Sequence, residues 1–288
     1  MRNSVATFLA GVCRNAPFER GRWRIGALAS RLFESGAVPR GRRTVSTRHG
    51  FAMHLDLNQF VDRAIYCQGE WEPMETTLFR QVLRPGDVVA DVGANIGWFS
   101  LLAAQLTGPR GRVHAFEANR DTFTLLGANI ALNQAANIEP HLVAVGEVKG
   151  RAQIVHREVG NAGADCAVIR GGRQSVPLVR LDEVLADMPL RLIKLDIEGW
   201  EAKALRGASG LLDKSGGPDL VLEFTPEFLR AAGDDPAELL RWLTALDYRL
   251  NIITPAGLEP LDAGVLKRRQ SYLYCRKNQF RSLLLKAA

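Results

Sequence analysis

Two groups of side chains in this sequence have the types and spacing for chemistry. The first is Asp91–Val92–Gly93–Ala94–Asn95–Ile96–Gly97, a D-x-G-x-x-x-G pattern, followed at a distance by Glu117. A carboxylate near the end of a buried strand, then a glycine-containing turn and a helix, forms a cradle for a small polar ligand. A second carboxylate at the end of the next strand is able to accept two hydrogen bonds from a vicinal diol. The other group is Asp196, Glu198 and Glu201, with Gly199 allowing a sharp turn between them. Clustered carboxylates raise one another's pKa, which suits a general base near neutrality. Their oxygens also suit Mg²⁺, a reading ranked below the base. A third reading, in which Glu198 and Glu201 only help satisfy a helix N-terminus, stays open.

These residues need strands and helices to hold them. Val88 to Ala90 lead into Asp91, and Trp98 to Leu106 are almost wholly apolar, which reads as strand, turn and packed helix. The alternation continues with a strand over Arg112–Glu117 and a helix over about 121–133, capped by Asn119 or Asp121. A strand is expected over Glu139–Val145, then a polar, glycine-rich hairpin insertion over 146–175 that contains His156 and Asp165. Val176–Val179, Arg191–Asp196, Leu220–Phe224, Tyr248–Ile253 and Ser271–Cys275 read as further strands, with helices from Leu181, from Glu201 and over Pro236–Leu246. The repeat predicts an α/β, doubly wound, Rossmann-like domain whose mostly parallel sheet is covered on both faces. Upstream, two short strands flank Gly50, helical spacing begins near Phe60, and Pro73 opens a helix through Val82. His114 and His141 fall inside strands and read as core or edge residues. Glu223, at a strand end, and Glu75 are second-rank site candidates.

Residues 1–50 hold ten Arg against two Glu, whereas the remaining 238 residues hold 27 basic against 29 acidic. The basic character therefore belongs to a helical arm over 1–43, not to the domain over 44–288, which weakens any inference of nucleic-acid binding from overall charge. That arm is expected to pack on the domain, on a membrane surface or on a partner. The apolar stretch Val5–Val12 is short for a secretory signal and lacks a clear cleavage site. No run reaches the roughly 18 apolar residues that a membrane span needs. Cys13, Cys67, Cys166 and Cys275 show no paired spacing, so neither a zinc site nor a disulfide framework is read and a cytoplasmic location is expected.

The loop also discriminates among cofactors. A nicotinamide fingerprint requires G-x-G-x-x-G, but Gly93 and Gly97 have Asn95 between them. A phosphate-binding P-loop requires Lys followed by Ser or Thr, where this chain has Trp98–Phe99. A nucleoside without phosphates fits both the loop and Glu117, and S-adenosylmethionine is the common one. Its tail is expected along Asp91–Gly97, with Gly93 permitting close approach and the helix N-terminus favouring the tail carboxylate.

Several longer pieces then converge: Trp71–Glu75, Pro85–Ser100, Phe116–Asn119, Asn133, Leu181–Asp182 and Ile193–Glu201, ending in Leu205–Ala208. In this combination of D-V-G-A-N-x-G with K-x-D-x-E-G-x-E the sequence resembles the FkbM-type family of S-adenosylmethionine-dependent methyltransferases over roughly residues 45 to 275. Ala118 departs from the pattern where Pro is frequent. The resemblance implies a seven-stranded class I methyltransferase sheet, S-adenosylmethionine as cofactor, and O-methylation of a hydroxyl on a sugar, glycolipid or polyketide-type product. The cofactor contacts so implied are Glu72, Asp91, Gly93, Asn95, Gly97, Glu117, Ala118, Asn119 and Val145. Asp196, Glu198 and Glu201 are the catalytic candidates, and no metal ligand is assigned. Two rivals are weighed. An RNA methyltransferase is disfavoured because Asp196–Ile197–Glu198–Gly199 is not an Asn-Pro-Pro-Tyr-type loop. A cofactor-binding protein without activity is the other. The acceptor's identity and the oligomeric state are left open.

Overall fold

The structure, a computed structural model, describes residues 2–15, 21–34, 41–155, 166–169, 175–186, 188–214 and 216–278. His156 and Asp165 lie outside the described residues, as does part of the 146–175 insertion. Helices α1 (Arg2–Asn15) and α2 (Arg22–Glu34) precede a hairpin of β1 (Arg42–Ser46) and β2 (Ala52–Asp56), then α3 (Phe60–Gln68) and α4 (Pro73–Val82). The alternating core begins with β3 (Val88–Val92), α5 (Trp98–Thr107), β4 (Arg112–Glu117), α6 (Arg120–Leu132) and β5 (Ile138–Leu142). A detour follows through β6 (Ala144–Val145), β7 (Gly150–Val155), β8 (Cys166–Ile169), β9 (Val176–Val179) and α7 (Leu181–Val184). The core resumes with β10 (Leu190–Leu195), α8 (Glu201–Arg206), α9 (Ser209–Asp213), β11 (Asp219–Phe224), α10 (Pro226–Ala231) and α11 (Pro236–Ala245). Strands β12 (Tyr248–Thr254), β13 (Gly257–Pro260) and β14 (Ser271–Lys277) complete it.

The central sheet has the order β13-β12-β14-β11-β10-β3-β4-β5. Strands β5, β4, β3, β10 and β11 are parallel, and β14 inserts antiparallel between β11 and β12. This is the α/β doubly wound fold the alternation predicts, with one strand more than the seven expected. The extra strand, β13, is a four-residue edge exposed along its whole length, so no buried face imposes a hydrophobic period on it. The chain winds outward from β3 in both directions, to β4 and β5 on one side and to β10 and β11 on the other. That reversal opens a crevice beyond the carboxyl ends of β3 and β10, where doubly wound sheets bind ligands.

Successive residues on the inner strands serve opposite faces. Val89, Val113 and Leu192 join the cluster containing Phe79, Phe99 and Leu102, whereas Ala90, Val92, Ile193 and Leu195 join the one containing Leu205, Leu212 and Leu243. The expected single strand over Glu139–Val145 is broken. Val143 N–H turns back to the His141 carbonyl at 3.1 Å, and β6 leaves to pair with β9 in a separate four-stranded sheet of order β6-β9-β7-β8. Helices α9 and α10 also escape a periodicity reading, because five or six residues hold barely one helical repeat.

The hairpin is fastened to α6 by two asparagines. Asn133 donates to the Ala52 carbonyl at 2.7 Å and accepts from Ala52 N–H at 2.8 Å. Fully buried Asn129 accepts from His54 N–H at 2.7 Å and donates to the Ile96 carbonyl at 2.8 Å. The side-chain amides thus supply the groups a neighbouring strand would supply, and Asn129 anchors the D-x-G-x-x-x-G loop at Ile96. Among the described residues no helix is long and apolar enough to cross a membrane.

Candidate active site

A cavity of about 710 Å³ fills the crevice. Of the expected cofactor contacts, Glu72, Gly93, Asn95, Glu117, Ala118, Asn119 and Val145 line it, and of the catalytic candidates Asp196 and Glu198 do. Asp91, Gly97 and Glu201 lie behind its wall, and the structure gives each an internal task.

Asp91 is 1% exposed and accepts a hydrogen bond from Ser100 Oγ at 2.6 Å. It therefore joins β3 to α5 and acts on the loop from below. Burial pushes its pKa up, and the ammonium of Lys194 opposes that rise. Gly97 sits at φ +96°, a left-handed backbone that favours glycine, and a Cβ there would also meet Leu126 Cδ1 of α6 at 2.7 Å. Gly93 has a similar explanation. Its φ is +84°, and an added Cβ would lie 1.9 Å from the Asp196 carbonyl oxygen. The close approach is between the loops after β3 and β10, which brings the two sequence motifs into contact.

Four of the loop's N–H groups are engaged within the protein. Gly93 and Ala94 both donate to the Phe116 carbonyl, at 3.0 and 2.9 Å, and Gly97 donates to Ala94 at 2.9 Å. Asn95 N–H donates to Glu117 Oε2 at 2.9 Å, while Asn119 N–H donates to Glu117 Oε1 at 2.7 Å. Glu117 therefore ties the loops after β3 and β4 together as it lines the cavity.

Glu201 Oε1 accepts from Ile197 N–H at 3.0 Å and Gly199 N–H at 3.2 Å, closing the loop that presents Asp196 and Glu198. This is the helix-start reading of the sequence, made by one of its two candidates. Burial, with the Asp196 charge adding to it, raises the Glu201 pKa to about 7, and the bonds from Ile197 and Gly199 hold the rise down.

Around Asp196 the structure gathers groups that sequence spacing did not collect. Lys194, 3% exposed, reaches Asp196 Oδ2 at 3.0 Å and lies 4.8 Å over the Phe99 ring. It also stands opposite Asp91 in the β10–β3 register. Desolvation works against its charge, but Asp196, Asp91 and Glu72 together raise its pKa. A usable signal existed: a lysine in a buried strand, two residues before Asp196, shares a face with it. Tyr272 has no such signal, since its hydroxyl donates to Glu72 across 200 positions. Burial, then the Asp196 charge, raises the Glu72 pKa to about 8. Glu75, both of whose oxygens are buried without a partner, is raised to about 7 by burial first. Glu223 accepts from Gln270 at 2.6 Å and Thr225 at 3.3 Å, and its other oxygen is buried and unpartnered. Burial, then Asp196 and Glu198, raises its pKa well above the usual range.

Ligand atoms of Asp196, Glu198 and Glu223 lie within 4.8 Å of one another, so the trio able to hold a cation contains Glu223 in place of the expected Glu201. His114, Glu139 and His141 form a second group of that spacing. There His114 Nδ1 and His141 Nε2 are 3.2 Å apart with ring centroids at 5.5 Å, so the nitrogens face one another along a hydrogen bond. Both histidines lie in strands, buried His114 on the inner strand β4 and His141 on the edge strand β5.

Backbone conformation marks the same place. Five non-glycine residues among those described have positive φ, and three of them, Glu72 (42°), Asn95 (50°) and Glu198 (55°), line the cavity. Left-handed backbone costs roughly 1–2 kcal/mol per residue and persists where the surroundings over-determine it. Trp200 Nε1 and the second oxygens of Glu72 and Glu223 are also buried without partners at the cavity wall. A cavity lined with orphaned polar atoms and a strand-end carboxylate fits a polar nucleoside-sized ligand.

Sheet order, switch-point cavity and acidic loop define a Rossmann-like fold of the class I methyltransferase kind. The family described as the methyltransferase FkbM domain matches residues 91–250, more than half of the chain, and the chain belongs to that family. A curated relative, the 31-O-demethyl-FK506 methyltransferase FkbM of Streptomyces tacrolimicus, is 37% identical over 107 residues, covering 37% of this chain and 36% of the relative. The chain thus spans about a third of the length of the curated relative it matches. Solved structures with a similar outline include an O-methyltransferase of Thermotoga maritima, 15% identical with a TM-score of 0.44 over 85% of this chain and 81% of that one. Another is the fibrillarin of Aeropyrum pernix, 14% identical with a TM-score of 0.42 over 83% of this chain and 98% of that one.

Proposed function

We propose that the cavity binds S-adenosylmethionine beside the Asp91–Gly97 loop and a hydroxyl-bearing acceptor beside Asp196, and that the protein O-methylates that hydroxyl. One observation carries the reading. A single cavity runs from Glu117, at the end of β4, past Gly93 and Asn95 to Asp196, Glu198 and Glu223. Diol recognition and proton acceptance therefore open into one space. The bound cofactor would supply an electrophilic methyl group. Glu117 would accept the ribose hydroxyls, with Ala118, Asn119 and Val145 walling the adenine side and Asn95 and Glu72 facing the amino-acid tail. An alcohol is too weak an acid to ionise alone near neutrality, so a general base must take its proton. Asp196 is the base in this proposal. Glu198 and Glu223 share the cavity with it, and Glu201 holds the loop in position.

Family membership supports methyl transfer, and the printed name of the Streptomyces relative, a 31-O-demethyl compound's methyltransferase, supports an oxygen acceptor. Trp71, Trp200 and Tyr272 line the cavity and suit a sugar or polyketide-type ring. Isothermal titration with S-adenosylmethionine tests the reading. Saturable heat is expected, and Glu117→Gln weakens affinity about tenfold or more, because a hydrogen bond to a charged group contributes about 1.5–3 kcal/mol. No heat and no thermal shift at millimolar cofactor overturn the proposal.

A further inference from the structure

Helices α1 and α2 bury small residues where they pack, keep Leu9 and Leu32 half-buried against the core, and leave three large apolar side chains exposed. Ala6, Ala10 and Cys13 of α1 and Ala29 of α2 are fully buried. Gly26 is buried too, where a Cβ would meet Gln68 Cγ at 3.0 Å and Cys13 Sγ at 3.1 Å. Phe8 is 68% exposed, Leu28 50% and Val5 46%. These are three of the seven exposed large apolar side chains among the described residues, concentrated in two short helices. Water favours the opposite arrangement, because burying a Phe or Leu side chain contributes about 1.5–3 kcal/mol. Small residues on the seam and large ones outward is how helices pack when their surroundings are apolar.

Charge identifies those surroundings. Arg24, Leu28 and Arg31 fall at i, i+4 and i+7 on α2, and all three are exposed. Val5 and Phe8 share a face of α1 at i, i+3. Residues 1–50 carry ten Arg against two Glu, whereas the rest of the chain is nearly neutral. Helices of 14 and 13 residues are too short to span a bilayer. A cationic helix pair with outward apolar side chains instead lies in the interface, with arginines at the headgroups and apolar side chains below them. The pair is fixed to the domain: Arg14 lies 4.4 Å over the Tyr66 ring and Arg48 donates to the Cys13 carbonyl at 3.3 Å.

We infer that α1 and α2 form a docking face for an anionic lipid bilayer, which holds the catalytic domain at a membrane surface. The inference stands apart from the reading of the cavity and fails separately from it. Flotation of the full chain with phosphatidylcholine vesicles, with and without phosphatidylglycerol, is the test. Binding is expected to the anionic vesicles and to weaken as salt rises. Phe8→Asp combined with Leu28→Asp lowers the partition at least tenfold, and Arg31→Gln lowers it about fivefold. These positions are exposed, so thermal melting and S-adenosylmethionine titration of the variants match the parent. Failure of the parent to float with anionic vesicles overturns the inference, as does flotation unchanged in the Phe8/Leu28 variant. A concentration-dependent dimer in sedimentation velocity, abolished by the same variant and accompanied by no flotation, assigns the face to a second copy and also overturns it.

Discussion

At the residue scale, the site places many carboxylates around Lys194. Glu72, Glu75, Glu201 and Glu223 all have pKa values raised by burial, and the Asp196 charge adds to each. Asp196, whose charge acts on all four, both lines the cavity and touches Lys194, and it is the proposed base. Asp196→Asn is expected to keep S-adenosylmethionine affinity within about threefold while turnover falls at least 100-fold, the scale of a lost general base. Unchanged turnover removes Asp196 from the role. Loss of parent turnover in EDTA, restored by Mg²⁺, reassigns Asp196, Glu198 and Glu223 as metal ligands.

At the scale of elements, the decisive contact is between two loops. Gly93 begins the turn after β3, the Asp196 carbonyl begins the turn after β10, and no side chain fits between them. Gly93→Ala adds a methyl at 1.9 Å from that oxygen and imposes a left-handed backbone on alanine. Destabilisation of at least about 3 kcal/mol is expected in denaturant unfolding, with cofactor affinity falling in whatever protein remains folded. Asn129→Leu is a milder case. It strands the Ile96 carbonyl and the His54 N–H, and a cost of about 1–3 kcal/mol is expected.

For the molecule as a whole, the buried acids set a pH dependence. Their folded pKa values exceed the unfolded ones, so between the two the folded state binds more protons and stability falls as pH rises. The window runs from about 4.5 up to about 7 for Glu75 and Glu201, and to about 8 for Glu72. His114 and His141 have pKa values lowered by burial, which opposes the trend below their ordinary 6.5. The melting temperature is thus expected to drop between pH 6.5 and 8. Glu75→Gln removes a buried carboxylate with two unpartnered oxygens. It is expected to stabilise the protein at pH 8 on the order of 2 kcal/mol, a Tm rise of roughly 5 °C, with little gain at pH 5. A melting temperature independent of pH across that range refutes the assignment.

What was legible in the residues alone followed from local rules. Alternating apolar runs predict parallel strands and covering helices, because burial on both faces leaves that pattern in the chain. Asp91, Glu117 and Asp196 stood out because each falls at an expected strand end, and Gly93 because it lies in the turn after one. The tertiary structure alone decided which carboxylates meet. Glu223 joins Asp196 and Glu198 because β10 and β11 are neighbours, and Tyr272 reaches Glu72 because β14 inserts beside β11. It also decided that Gly93 answers to the Asp196 backbone and that Glu201 closes a loop behind the cavity wall. Spacing along a chain reports which face a residue takes. Which partner stands opposite depends on strand order, and that is settled only when the whole sheet assembles.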